Sequence, residues 1–160
     1  MLAGSDTTAI YLRAVFYFLL KDPKSMKKLE DEIISFKSAT GFSEVVSWKE
    51  SKQLPYLEAC IKEAGRLHPP IGLPLERIVP TSPEGGIDLN GHFIPQGTVI
   101  GINAWVVQRD KQIFGDDADL WRPERWLVDD EEKINKMNRA MFVVRRYHQF
   151  MSRVLLYEPY

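Results

Sequence analysis

Glu63-Ala64-Gly65-Arg66-Leu67-His68-Pro69-Pro70 is the stretch on which the reading of this chain turns. The acid and the arginine stand three residues apart, so on a helix they share a face within pairing distance. The two prolines stop that helix at once, because proline has no N–H to donate and pushes the residue before it out of helical dihedrals. Pro55 starts the helix, and Leu57, Cys60, Ile61, Ala64 and Leu67 recur at a spacing that predicts its inner face. On an exposed helix a Glu-x-x-Arg pair contributes little. On a helix this apolar the pair is expected to be buried, and a buried guanidinium needs further partners.

Before this helix, Met1 to Leu20 reads as another, apolar on most of its faces through Leu2, Ile10, Leu12, Val15, Phe16, Phe18, Leu19 and Leu20. Such a helix is expected to be buried. It begins without an N-cap, as though an element had been cut. Asp22 and Pro23 suit the cap and first position of a second helix running to about Lys37. Met26, Leu29, Ile33 and Phe36 would face inward, and Thr40-Gly41 would end it. Ser47-Trp48-Lys49-Glu50 has the form of a capping box. From Ile71 onward the signals change to strands: Arg77-Ile78-Val79, then Ile87-Asp88-Leu89 and Phe93-Ile94 around an Asn90-Gly91 hairpin turn. Pro95-Gln96-Gly97 turns into a strand over Thr98 to Ile102, and Asn103 caps a short helix to Val107. A loop-rich stretch follows around Phe114-Gly115-Asp116-Asp117. Helices first and a small antiparallel sheet later predict a mainly α, α+β fold.

Composition narrows the function. The chain has 160 residues, 44% of them apolar and 27% charged, which suits one globular core. A net charge of −1 gives no basic excess for contacting phosphates, so nucleic acid is not the expected partner. The apolar run Ala14 to Leu20 is too short to cross a bilayer. One cysteine, Cys60, excludes a disulfide framework and a multi-cysteine metal site.

Ala3-Gly4-Ser5-Asp6-Thr7-Thr8 is poor helix material. Read alone it is a frayed helix start, with Asp6 beside the positive helix end. A phosphate-cradling loop is remote, since the lysine and second glycine are missing. Taken with Glu63-x-x-Arg66 and the later Pro123-Glu124-Arg125-Trp126, however, the segment has company in a telling order. With these three blocks the chain resembles the C-terminal half of a cytochrome P450, a haem-thiolate monooxygenase, most closely the fungal type. The resemblance runs from about Leu2 to Phe142, so that residues 1–142 read as a partial domain from the distal haem helix to the meander.

The resemblance implies roles for individual residues. Asp6 and Thr7 would carry protons on the distal side of the haem, with Ala3 and Gly4 leaving room beside the iron. Glu63, Arg66 and Arg125 would form a structural ionic cluster that pins the meander. Leu73, Pro74 and Leu75 would line the substrate pocket, and Arg77 would hold a haem propionate; without the family, Arg77 reads equally as a solvated arginine on a strand edge. Gly65 stands where the family usually has a larger apolar residue, at an expected helix penalty of up to ~1 kcal/mol. The resemblance also implies a small organic substrate, dioxygen, electrons from an NADPH-cytochrome reductase, and the endoplasmic reticulum membrane for a full-length member. The 160 residues themselves carry no membrane anchor.

Cys60 is not the expected iron ligand, since it precedes Glu63 on a buried helix face, where cysteine acts as a small apolar filler. His68 reads as structural and His92 as solvated. After Phe142 the family's Phe-x-x-Gly-x-Arg-x-Cys-x-Gly is replaced by Val143-Val144-Arg145-Arg146-Tyr147-His148-Gln149-Phe150. Residues 143–160 thus read as an aberrant tail, as from a shifted frame or unspliced intron, and are expected to pack poorly. Three readings stand open: an incomplete monooxygenase without activity of its own, a haem-free interaction fragment, and an unstable truncated product.

Overall fold

The computed structural model describes residues 3–74 and 76–142. The expectations for Met1, Leu2, Leu75 and the tail 143–160 lie outside the described residues.

Helix α1 (Ala3–Lys21) runs almost directly into α2 (Pro23–Ala39). Asp22 makes the break: its carboxylate accepts the Lys24 N–H at 3.3 Å, and Pro23 occupies the first helical position. The capping box at Ser47–Glu50 opens α3 (Trp48–Ser51) as its spacing predicts. Helix α4 (Pro55–Leu67) has no side-chain cap from its own N-terminal residues. Glu32 of α2 supplies one instead, accepting the Tyr56 and Leu57 N–H groups at 2.7 and 3.0 Å. A carboxylate at those orphan amides also meets the positive end of the helix dipole.

Two short antiparallel pairs follow. Strand β1 (Arg77–Ile78) pairs with β4 (Val99–Ile100), and β2 (Gly86–Leu89) with β3 (His92–Pro95). Leu89 stands opposite His92, leaving Asn90-Gly91 as a two-residue turn with φ of 53° and 80°. Both angles are positive, as this turn demands and as Asn and Gly tolerate. The outer pair is shorter than the sequence suggests, with regular pairing ending at Ile78 and Ile100. Beyond it come α5 (Ala104–Val107), α6 (Lys111–Phe114), a turn of 3-10 helix at Pro123–Trp126, and α7 (Glu131–Arg139). The loop reading around Phe114 missed α6 and said nothing of α7. Each is capped by an aspartate, Asp110 and Asp130, whose carboxylates accept N–H groups of the first turn.

The mainly α architecture stands, but two burial expectations need correction. Helix α1 is not buried all round: Ala14, Val15 and Leu19 pack on α2 and α4, while Leu12, Phe16, Tyr17 and Leu20 are 55–72% exposed. Among the described residues only α2 and α4 lie broadly against it, so only one face is covered. On α4, Ile61 is 38% exposed, and the buried arc is turned instead toward Ala59, Glu63 and Arg66. Reading apolar residues in and charged residues out fails there because the charges are paired inside.

Candidate functional site

Helix α4 is the keystone of both main cores. One face meets α1 and α2 through Cys60 and Ala64; the other carries Ala59 into a second cluster with Phe114, Ala118, Trp126 and Met137. Between these cores Glu63, Arg66 and Arg125 come together, with Glu63 and Arg66 at 0% and Arg125 at 1% exposure. The i,i+3 spacing lets Arg66 Nε and Nη2 donate to the two Glu63 oxygens at 2.9 and 2.8 Å. Arg125 Nε donates to Glu63 Oε1 at 2.9 Å, as does the Arg122 N–H at 3.1 Å. The indole of Trp126 donates to Oε2 at 2.9 Å. One buried carboxylate thus accepts five hydrogen bonds.

The remaining guanidinium donors turn to the chain around them. Arg66 reaches the carbonyls of Gln108, Ala118 and Leu120, and Arg125 those of Phe114, Asp117 and Leu120. The Arg66 guanidinium also lies over the Phe114 ring, 5.1 Å from its centroid. Two arginines against one glutamate would leave a buried positive charge. Asp117, 26% exposed, supplies the second carboxylate at 3.2 Å from Arg125 Nη1. Among the described residues no buried side-chain nitrogen or oxygen lacks a partner. That completeness matters because a buried ion group is tolerated only when every polar atom is satisfied. The cluster therefore fixes the path of residues 114–126, which have little regular structure of their own.

A second set of contacts holds that segment from the α2 side. Glu124 accepts from Lys28 Nζ at 2.5 Å and from the Tyr56 hydroxyl at 3.2 Å. Trp121 stacks on Phe18 at 4.9 Å and donates its indole N–H to Ser25 Oγ at 3.1 Å.

The other anticipated residues lie elsewhere. Asp6 is exposed and Thr7 half-buried near the start of α1, where Ala3 and Gly4 enter as helical backbone. Leu73, at 77% exposure, and Pro74 sit on the surface of the connection to β1. Arg77 is half-buried on β1, with Nη1 donating to the Glu76 carbonyl at 2.7 Å. His68 is exposed at the end of α4, edge-on to Trp105, and His92 is exposed at the start of β3. Cys60 is fully buried among Ala14, Val15, Leu19 and Tyr56. Burial, reinforced by the neighbouring carboxylates of Glu124, Glu32, Glu63 and Asp22, pushes its thiol up to about 12. Among the described residues no group of three His, Cys, Asp or Glu is placed to hold a metal.

Gly65 proves to be a point of close approach. A Cβ there would lie 2.6 Å from the Tyr11 hydroxyl and 2.9 Å from its ring, and that hydroxyl donates to the Ile61 carbonyl at 2.8 Å. The helix penalty foreseen for this glycine is thus set against packing that a larger residue would exclude. Sequence reasoning also missed Asp117 and Gln108 as members of the site. For Asp117 the signal is a polar residue in the segment that returns to α4; for Gln108 it is the pair of donors that Pro69 and Pro70 withhold from the end of α4.

The sequence profile of the cytochrome P450 family matches residues 1–143. A cytochrome P450 monooxygenase of Aspergillus terreus is 47% identical over 147 residues, covering 92% of this chain and 29% of the relative. Monooxygenase cicH of Emericella nidulans is 50% identical with the same coverages, and pkfB of that organism is 50% identical over 82% of this chain and 25% of its own. The chain thus spans under a third of the length of these relatives.

Proposed function

The chain belongs to the cytochrome P450 family, and we propose that it furnishes the distal helix and buried ionic frame of a haem-dependent monooxygenase. The whole protein would act on a small organic substrate with dioxygen and electrons from an NADPH-cytochrome reductase, at the endoplasmic reticulum membrane. The observation that carries this reading is the closed, fully buried set of Glu63, Arg66 and Arg125, a costly arrangement whose reward is a fixed loop path. Within it, Asp6 and Thr7 would hold and move a proton on the face of α1, beside the small Ala3 and Gly4. Arg77 would meet a propionate carboxylate, and Leu73, Pro74 and Leu75 would contact substrate.

The residues at hand do not complete a haem-thiolate centre. A thiolate ligand must be ionised and accessible, whereas the sole thiol is buried in the helical core and held protonated. We therefore assign no hydroxylation to these 160 residues alone. The test is haem content after gel filtration of the purified chain mixed with haem. The proposal expects no stoichiometric complex; one-to-one retention that Cys60→Ser abolishes would contradict it.

A second reading rests on the uncovered face of α1. Leu12, Phe16, Tyr17 and Leu20 form an exposed apolar strip suited to a haem-free interaction fragment. Cooperative thermal unfolding would separate such a fragment from an unstable product.

A further inference from the structure

We infer that Gln108 is a positioning residue, which caps the proline-terminated end of α4 and ties the chain at Phe142 to the ionic frame. The starting point is the sequence. In a helix the carbonyls of Gly65 and Arg66 would receive the N–H groups of residues 69 and 70, but both are prolines with no N–H to give. Both carbonyls are nonetheless bonded. The side-chain amide of Gln108 donates to Gly65 O at 3.0 Å and to Arg66 O at 2.9 Å. One NH2 group replaces the two donors that the prolines removed.

The opposite end of the same amide faces the other way. Gln108 Oε1 accepts the Phe142 N–H at 2.7 Å. This fixes the amide's orientation: a flip would set its oxygen against two carbonyls and its NH2 against an N–H. The main chain closes the circuit, since Gln108 O accepts from Arg66 Nη1 at 2.9 Å. Gln108 is 0% exposed, so water cannot stand in for any of these bonds. Arg109 extends the cap by donating to the Leu67 carbonyl at 2.7 Å.

The strap therefore joins three things: the arginine of the ionic cluster, the last turn of its helix, and the backbone at Phe142. Its bearing on the cofactor rests on the proposed monooxygenase reading, in which the iron-binding segment of the family would follow this point. Its physical content does not depend on that reading. A strap of this kind acts by fixing the backbone at Phe142 relative to Arg66 and the end of α4, rather than through any contact of its own with substrate or cofactor.

Amide hydrogen exchange of the full 160-residue chain tests this, read residue by residue with and without substitution at Gln108. In the wild type the Phe142 N–H is expected to exchange at least about a hundredfold more slowly than in an unfolded chain, as a buried bonded amide does. Gln108→Met keeps the volume but neither donates nor accepts strongly. Relative to the Cys60 N–H in the α4 core, it should speed exchange at Phe142 by about tenfold or more. Gln108→Glu keeps the acceptor and should keep Phe142 slow while loosening the end of α4. Equal acceleration at Phe142 and Cys60 in Gln108→Met would overturn the inference, and so would loss of Phe142 protection in Gln108→Glu. If Gln108→Met does not fold, the wild type decides alone: a protected Phe142 supports the strap, and a freely exchanging one refutes it. No haem enters the measurement, so failure of the strap and failure of the monooxygenase reading are separately visible.

Discussion

Replacing Glu63 tests how much of the fold depends on one carboxylate. Glu63→Ala removes the acceptor of five hydrogen bonds, from Arg66 Nε and Nη2, Arg125 Nε, the Arg122 N–H and the Trp126 indole. Two fully buried guanidinium groups then face each other with only the partly exposed Asp117 to balance them. Breaking a buried ion group by removing one partner costs about 3–5 kcal/mol. Against a total stability of roughly 5–15 kcal/mol that is a large fraction. Glu63→Gln is the sharper variant, because it preserves shape. Its carbonyl can serve one side of the cluster, but its NH2 must then face donors on the other, so it should lose at least about 2 kcal/mol. Urea unfolding gives the difference from the midpoint at unchanged slope. A Glu63→Gln protein within about 0.5 kcal/mol of wild type, the range of an ordinary surface change, would refute the reasoning.

Three further outcomes follow from the same contacts. Gly65→Ala should destabilise by about 1–2 kcal/mol, although helix propensity alone predicts a gain near ~1 kcal/mol, because the new Cβ displaces Tyr11 from its 2.8 Å bond to Ile61; urea unfolding reads the sign. The Cys60 thiol, raised to about 12, should resist thiol reagents in the folded chain and react as unfolding exposes it. A raised folded pKa favours the fold below the thiol's ordinary range, and that contribution fades as pH climbs toward about 12. Glu50, held down to about 2 by the Ser47 hydroxyl and the Ser47 and Ser43 amides, has the opposite sign. Its contribution to the α3 cap is present above the usual carboxylate range and is lost as pH falls toward about 2, which a carboxyl NMR titration would follow; an ordinary midpoint there would remove the cap from the account.

What could be read from the sequence follows from how local each signal is. Asp22-Pro23, the Ser47–Glu50 box and Asn90-Gly91 act within a few residues, and each produces the element its chemistry predicts. The pairing of Glu63 with Arg66 is equally local. The return of Arg125 to Glu63 across 62 residues is not, and only the family resemblance, no periodicity, implies it. Ile61 shows where pattern reading fails: once charges are satisfied inside, the buried arc of α4 no longer follows hydrophobicity. The N-terminal cap of α4 was invisible for a similar reason, since Glu32 lies on another helix. Gln108 could have been suspected from the two missing proline donors, because an unsatisfied carbonyl at a buried helix end calls for a partner. The exposed face of α1 reflects what covers the helix, which no property of its own sequence records.

The most direct test of the account is the absorption spectrum of the purified chain with added haem, reduced and exposed to carbon monoxide. With Cys60, the sole thiol, buried in the α4 core and raised to about 12, no red-shifted band of the kind that a thiolate ligand produces is expected. Appearance of that band, and its disappearance in Cys60→Ser, would make Cys60 the ligand and contradict the account at its centre.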